Sequence, residues 1–181
     1  MKYLSDKIDK KSSEFAIHVK GHELAAWNVH VSAGTGISYA TSNRGACHLN
    51  GSNPREQNIN AMIDSLGLCN FAYFGYGNEG LRELIAAILG IDFSANDLLK
   101  TGDRIFNIEK LFNYNEGFGA EDDKLPERFF KEPLSYGKGR GKKLNKIDFY
   151  DKRLKRYYME RGWDIKTTKP TKSKLKELEI V

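Results

Sequence analysis

From residue 53 onward, apolar residues recur at helical spacing. Asn53-Pro54 reads as a cap with proline at the first helical position, and Ile59, Met62, Ile63 and Leu66 follow at intervals of three and four. Gly67 offers a C-terminal stop, which leaves Leu68 and Cys69 just beyond the helix end. A second helix is predicted from near Asn78, with Leu81, Leu84, Ile85, Ile88 and Leu89 in one stripe closed by Gly90. Ser94 and Asp97 stand at the spacing of a capping box, and the apolar positions from Leu98 to Phe112 carry a long helix to about Asn113. The stretch from Gly117 to Lys146 holds Pro126, Pro133 and alternating Gly137, Gly139 and Gly141, and reads mostly as loop. A helix from about Asp148 to Arg161 sets Tyr150, Leu154, Tyr157 and Tyr158 on one side, and Pro170-Thr171 opens a short last helix through Leu178.

The first fifty residues lack this order. Ala16 to Lys20 alternates weakly, as a short strand does. From Val29 to Ala40, small and polar residues stand where a core helix has large ones, so no helix is predicted there. The expected architecture is mainly α, with an irregular segment over 1–52 and a helical C-terminal domain over 53–181.

Composition narrows the class. A chain of 181 residues with 40% hydrophobic and 29% charged residues can bury a core, and no window approaches 18 consecutive apolar residues. The N-terminal twenty residues lack the apolar run of a secretory signal, so no membrane span is expected and the location is read as cytoplasmic. The net charge of +5 is unevenly spread: residues 1–120 carry 11 basic and 13 acidic residues, residues 121–181 carry 18 and 11. A basic C-terminal third is the footprint of a nucleic-acid surface. Here it interleaves with Asp148, Asp151, Glu160 and Asp164 at helical spacing, the pattern of a solvated helix face, and nucleic acid is not the expected partner. Lys138, Arg140 and Lys142 between the loop glycines read as a flexible basic loop that needs no ligand.

Two local constellations can carry chemistry: Arg44-Gly45-Ala46-Cys47-His48 and Asp64-Ser65-Leu66-Gly67-Leu68-Cys69. Adjacent cysteine and histidine can be a nucleophile with its base or two metal ligands, but neighbouring side chains diverge, and taken alone the pair reads better as a packed thiol beside a histidine. Two cysteines, Cys47 and Cys69, are too few for a disulfide framework or for a closed four-cysteine metal site.

These constellations belong to a longer series. His18-Val19-Lys20-Gly21, Ser38 to Leu49, Asp64 to Cys69, Gly102 to Asn107, Leu111-Phe112-Asn113, Asp122 to Phe129, and Tyr157-Tyr158 with Arg161-Gly162-Trp163-Asp164 resemble, in order, the C-terminal part of the tungsten-dependent aldehyde ferredoxin oxidoreductases. The resemblance implies a family that oxidises aldehydes to carboxylic acids, passing electrons from a tungsten bis-pterin through a 4Fe-4S cluster to ferredoxin. It implies that segment 1–52 is the end of the family's middle domain. Cys69 matches the fourth cluster ligand; such clusters take thiolates, normally four. Asp64 matches a carboxylate that accepts hydrogen bonds from a pterin ring. His48 matches a histidine close to the tungsten, where an imidazole can take the proton of the attacking water or hydrogen-bond the substrate carbonyl. Cys47 has no ligand role, and Arg44 holds the local turn or an anionic cofactor group. Tyr39, Phe71, Tyr73 and Phe74 either border the site or pack in the core. Arg104, Asn107, Asn113, Asp122, Asp123, Arg128 and Arg161 fix helix ends and loops, with Trp163 in an aromatic slot.

The sequence also departs from the family pattern. The N-terminal pterin domain and the three-cysteine segment are missing, Ala25 to His30 stands where a proline-flanked aspartate and arginine are usual, and the stretch from His48 to Asp64 is short. The cofactors are therefore not expected to be held by this chain alone. Three readings follow: one piece of a split oxidoreductase whose partner subunit, separately encoded, brings the pterin domain and three cysteines; an inactive truncated remnant; or a basic helical binding module.

Overall fold

The computed structural model describes residues 2–181, so residue 1 of the expected first segment lies outside the described residues. A short helix, α1 (Lys2–Ile8), leads through a 3-10 turn (Lys10–Glu14) into a two-stranded antiparallel ribbon, β1 (His18–Val19) with β2 (His22–Glu23). Lys20 and Gly21 between them both have positive φ, as a type I′ hairpin turn requires. Val19 on this ribbon is buried and anchors it to the core.

Residues 33–41, expected to be irregular, form α2 (Ala33–Thr41), capped by Ser32 on the Thr35 amide. The helix has no amphipathic stripe because it is covered on most sides: every residue from Gly36 to Thr41 is buried. Its small residues are there for contact. A Cβ on Gly36 would lie 2.9 Å from Phe149 Cε2 and 3.0 Å from Leu125 Cδ1.

The helices after residue 53 follow the sequence more closely. Asn53 caps α3 (Pro54–Ser65) by accepting from the Glu56 amide at 3.0 Å. Next comes α4 (Asn70–Leu89), two helical stretches joined across Gly77 (φ +60°, ψ −165°); the second stretch is the helix predicted from Asn78, and residues 70–76 add a first one. Ser94 and Asp97 complete a reciprocal capping box at the start of α5 (Ala95–Asn115). Within the 117–146 loop only α6 (Arg128–Lys131) is helical. The glycine-rich turn is closed by backbone bonds from Leu134 N to Lys142 O (2.9 Å) and from Gly141 N to Leu134 O (2.8 Å), with Gly139 buried against Val31. A π-helical turn (Asp148–Leu154) runs into α7 (Lys155–Arg161), so that Phe149 and Leu154, five apart, are both buried. Thr171 caps the last helix, α8 (Lys172–Glu177). The chain is mainly α, as expected, and among the described residues no helix is long and apolar enough to cross a membrane.

Two apolar clusters meet at Ile105. One joins Val19, Val29 and Tyr39 from the first segment to Phe106, Phe149 and Trp163; the other packs α3, α4 and α5 through Ile59, Ile63, Leu81, Ile85 and Leu98. Helix α3 crosses α5 at closest range where Gly102 meets the backbone of Asn58; a Cβ on Gly102 would sit 2.0 Å from the Asn58 carbonyl oxygen.

Buried charges tie the layers. Fully buried Asp123 lies 2.6 Å from Lys20 Nζ and 3.5 Å from Lys110 Nζ, and accepts from Tyr158 Oη at 2.9 Å. Arg161, also fully buried, donates to Asn58 Oδ1 (2.5 Å), Gln57 Oε1 (2.6 Å) and Asp103 Oδ1 (2.9 Å), with its guanidinium 4.0 Å above the Phe106 ring. Some of the basic C-terminal residues pair with carboxylates at the surface, as in Arg153 with Asp148 and Lys155 with Asp151.

Candidate cofactor-facing site

The segment between α2 and α3 is a turn pinned from three sides. Gly45 takes φ +87° beneath the β1–β2 ribbon, where a Cβ would meet Val19 O at 2.8 Å and His22 Cβ at 2.7 Å. Ser38 Oγ donates to Cys47 O (3.0 Å), Asn50 Nδ2 donates to Ser42 Oγ (3.0 Å), and Asn70 Nδ2 on α4 donates to Leu49 O (3.3 Å). The 3-10 turn His48–Asn50 is therefore held to α2 on one side and to the start of α4 on the other.

Two clefts flank it. The first, about 370 Å³, has Ala61 on its floor, Ile108 and Phe112 of α5 on one wall, and Arg44, Asn50 and Asp64 on the other. Ile108 and Phe112 belong to the apolar pattern predicted for α5, yet they are 49% and 65% exposed, because this face of the helix borders a cleft and not the core. Asp64, on the last turn of α3, pairs with Arg44 (Nη1 to Oδ2, 3.1 Å), and Arg44 also reaches Asn50 Oδ1 at 3.4 Å. Burial works against the Arg44 charge, but Cys47, Asp64 and Glu109 around it outweigh that and hold its pKa above the ordinary arginine value. Asn113 closes the far end by donating to Asn43 O at 2.6 Å.

The second cleft, about 350 Å³, lies between the turn, α3 and α4; His48, Arg55, Ile59, Tyr73 and Phe74 line it. The exposed His48 ring stacks on Trp27, centroids 6.2 Å apart. Thus Asp64 and His48 open into different clefts on the two sides of one turn. Cys69 lines neither: it is exposed and free at the N-cap of α4, next to Asn70, whose amide holds the turn.

Of the aromatics, Tyr39 is fully buried in the core, Tyr73 is half-buried in the second cleft, and Phe71 and Phe74 stand out at 67% and 79% exposure. Cys47 is half-buried, in keeping with a packed thiol. Trp163 fills its slot by stacking on Phe106 and donating to Asn107 Oδ1 at 2.7 Å. Sequence reasoning passed over Arg55. The signal was available: it is a cation in the first turn of a helix, where the backbone dipole disfavours positive charge.

Among the described residues, no group of three or more histidine, cysteine, aspartate or glutamate side chains lies close enough to hold a metal ion. The chain offers single donors facing outward.

The family model for "Aldehyde ferredoxin oxidoreductase, domains 2 & 3" matches residues 1–180. The tungsten-containing aldehyde ferredoxin oxidoreductase of Pyrococcus furiosus is 38% identical over 193 aligned residues, covering 92% of this chain and 31% of the relative. Those of Thermococcus kodakarensis and Pyrococcus abyssi are 37% and 35% identical, covering 83% and 93% of this chain and 28% and 31% of their own. The chain spans about a third of the length of these relatives, in their C-terminal portion. Its 181 residues belong to the aldehyde ferredoxin oxidoreductase family, within the part described as domains 2 and 3.

Proposed function

We propose that this chain is the C-terminal wall of an aldehyde-oxidising site: Cys69 is one cluster ligand, Asp64 a pterin contact, and His48 a proton-handling group near the substrate. The carrying observation is that all three side chains are exposed around one pinned turn, two of them on cleft rims. Polypeptide outside these 181 residues completes the site, a separately encoded pterin and cluster subunit being the source expected from the sequence. Exposed Phe71 and Phe112 beside these residues give it apolar surface to cover.

The donor set fits a shared centre. A lone exposed thiol suits one thiolate among four, and Cys69 stands at the N-cap of α4 with its sulfur open to a group outside the chain. When bound, the 4Fe-4S cluster carries the electrons of aldehyde oxidation from the tungsten pterin to ferredoxin. Asp64 has acceptor capacity beyond its bond to Arg44, and Arg44 fixes the carboxylate so that it meets a heterocycle N–H without reorienting. The His48 imidazole, with no hydrogen-bond partner among the described residues, is free to accept a proton or to donate to a carbonyl oxygen. The two free cysteines suit a reducing compartment, in keeping with a cytoplasmic location.

The test is assembly with the polypeptide that carries the other three cluster cysteines, comparing wild type with Cys69→Ser. Iron content and the cluster's electron paramagnetic resonance signal should fall in the variant, and unchanged values would remove the ligand assignment. The alternative, a folded remnant without catalysis, is supported by Asp64 already giving one oxygen to Arg44; it predicts no iron in either assembly.

A further inference from the structure

We propose that the cleft between the His48–Asn50 turn, α3 and α4 binds the carboxylate of a small ring-bearing acid, with the Arg55 guanidinium as its anchor. Resting on the aldehyde-oxidising reading, that molecule is the product acid, held at its carboxylate by Arg55 and at its ring by the apolar wall.

The argument starts from charge. Of nine arginines, seven pair with a carboxylate: Arg44, Arg82, Arg104, Arg128, Arg153, Arg156 and Arg161. Among the described residues Arg55 and Arg140 have no such partner; Arg140 lies on an exposed turn, whereas Arg55 lines a cleft. The α3 helix gains nothing from it, since a cation in the first turn opposes the dipole. Glu56 lines the same cleft, yet it is turned the other way: its Oε2 accepts from Ser52 N at 2.7 Å and from Ser52 Oγ at 3.0 Å, closing the loop before the helix. Among the described residues the guanidinium is thus a cation without a carboxylate partner, and its planar fork matches a carboxylate.

The rest of the cleft suits the body of such a molecule. Buried Ile59 forms an apolar floor, and the rings of Tyr73 and Phe74 form a wall. The Tyr73 hydroxyl donates to Asn78 Oδ1 at 2.5 Å, so the side chain is held in place and its phenol is already satisfied. A volume of about 350 Å³ lies at the small end of ligand pockets, room for one ring and its substituent. His48 at the rim adds a second group able to hydrogen-bond the carboxylate.

The experiment is titration of the 181-residue chain with benzoate, benzamide and acetate, followed by nuclear magnetic resonance of the Arg55 Nε–H and the Tyr73 ring. Benzoate should bind saturably with a Kd on the order of 1 mM. Benzamide, which keeps the ring without the charge, and acetate, which keeps the charge without the ring, should each bind about tenfold more weakly. Arg55→Met should weaken benzoate about tenfold or more, and Arg55→Lys less, with circular dichroism unchanged because the side chain is exposed. Equal benzoate affinity in Arg55→Met, equal affinity for benzamide, or no saturation at all would overturn the proposal. Failure here leaves the iron test of Cys69 standing, and failure of that test leaves benzoate binding standing, so the two readings fall separately.

Discussion

Arg44 holds Asp64 at 3.1 Å across the mouth of the first cleft, with both side chains about half exposed. An exposed pair of this kind contributes under about 1 kcal/mol. Asp64→Asn should therefore leave the unfolding free energy of the chain within about 1 kcal/mol of wild type in urea titrations. In the assembled protein the same substitution should lower pterin content. A large loss of stability would make Asp64 a structural residue and remove its cofactor role.

Asp123 is a different case, since it is fully buried between two ammonium groups. Asp123→Asn leaves Lys20 and Lys110 uncompensated and should destabilise the chain by about 3–5 kcal/mol. Lys110→Met keeps the Lys20 pair and removes a cation that burial disfavours, so it should be close to neutral. Equal losses in the two variants would contradict this division of roles.

Alkaline behaviour follows from the same core. Burial, then the Asp123 charge and hydrogen bond, raise the Tyr158 pKa far above its ordinary 10.0, and burial also raises those of Tyr157 and Tyr150. Above pH 10 the unfolded chain loses these protons while the folded chain keeps them. Stability then falls as pH rises, by about 1.4 kcal/mol per pH unit for each group. Lys110 acts in the opposite sense: burial lowers its pKa despite Asp123, so between its folded value and 10.5 the folded state binds fewer protons and stability rises with pH. Urea titrations across this range should show a rise toward pH 10 and a decline above it, and Lys110→Met should abolish the rise. Phenolate absorbance from all nine tyrosines of the native protein would refute the burial argument.

Two glycines of α2 should respond oppositely to alanine. Gly36→Ala drives a methyl into Phe149 and Leu125, an overpacking that costs about 1–3 kcal/mol and exceeds the helix propensity gained. Gly34→Ala meets nothing closer than 3.9 Å and should stabilise by up to about 1 kcal/mol. Thermal unfolding of the two variants checks both signs.

These cases also show where the sequence was legible. Caps are local chemistry, so Asn53-Pro54, Ser94 with Asp97, and Thr171 marked helix starts that the structure repeats. Helix α2 was missed because a segment covered on most sides needs small residues and so has no stripe. Residues 70–76 were missed because Gly75 and Gly77 break the pattern and Phe71 and Phe74 point outward. Asp64 and Cys69 were singled out by a short motif that resembles the family's. Their neighbours Ile108 and Phe112 looked like core, and Arg55 has its meaning from a cleft formed with residues of α4. The Asp123 cluster joins positions 20, 110, 123 and 158, a pairing that no local spacing records.

The contact of Gly102 with the Asn58 carbonyl makes α3 and α5 touch backbone to backbone. No rotamer change can absorb a shift there, so the crossing works as a gauge that fixes the separation of the two helices. Arg55 and Asp64 lie on either side of Asn58 on the same rod, nine residues apart, or about 13 Å along its axis. A side chain at position 102 would lever α3 away from α5, tilting both ends of the rod together. One absent methyl group thereby keeps the two clefts that flank the His48–Asn50 turn in a common alignment.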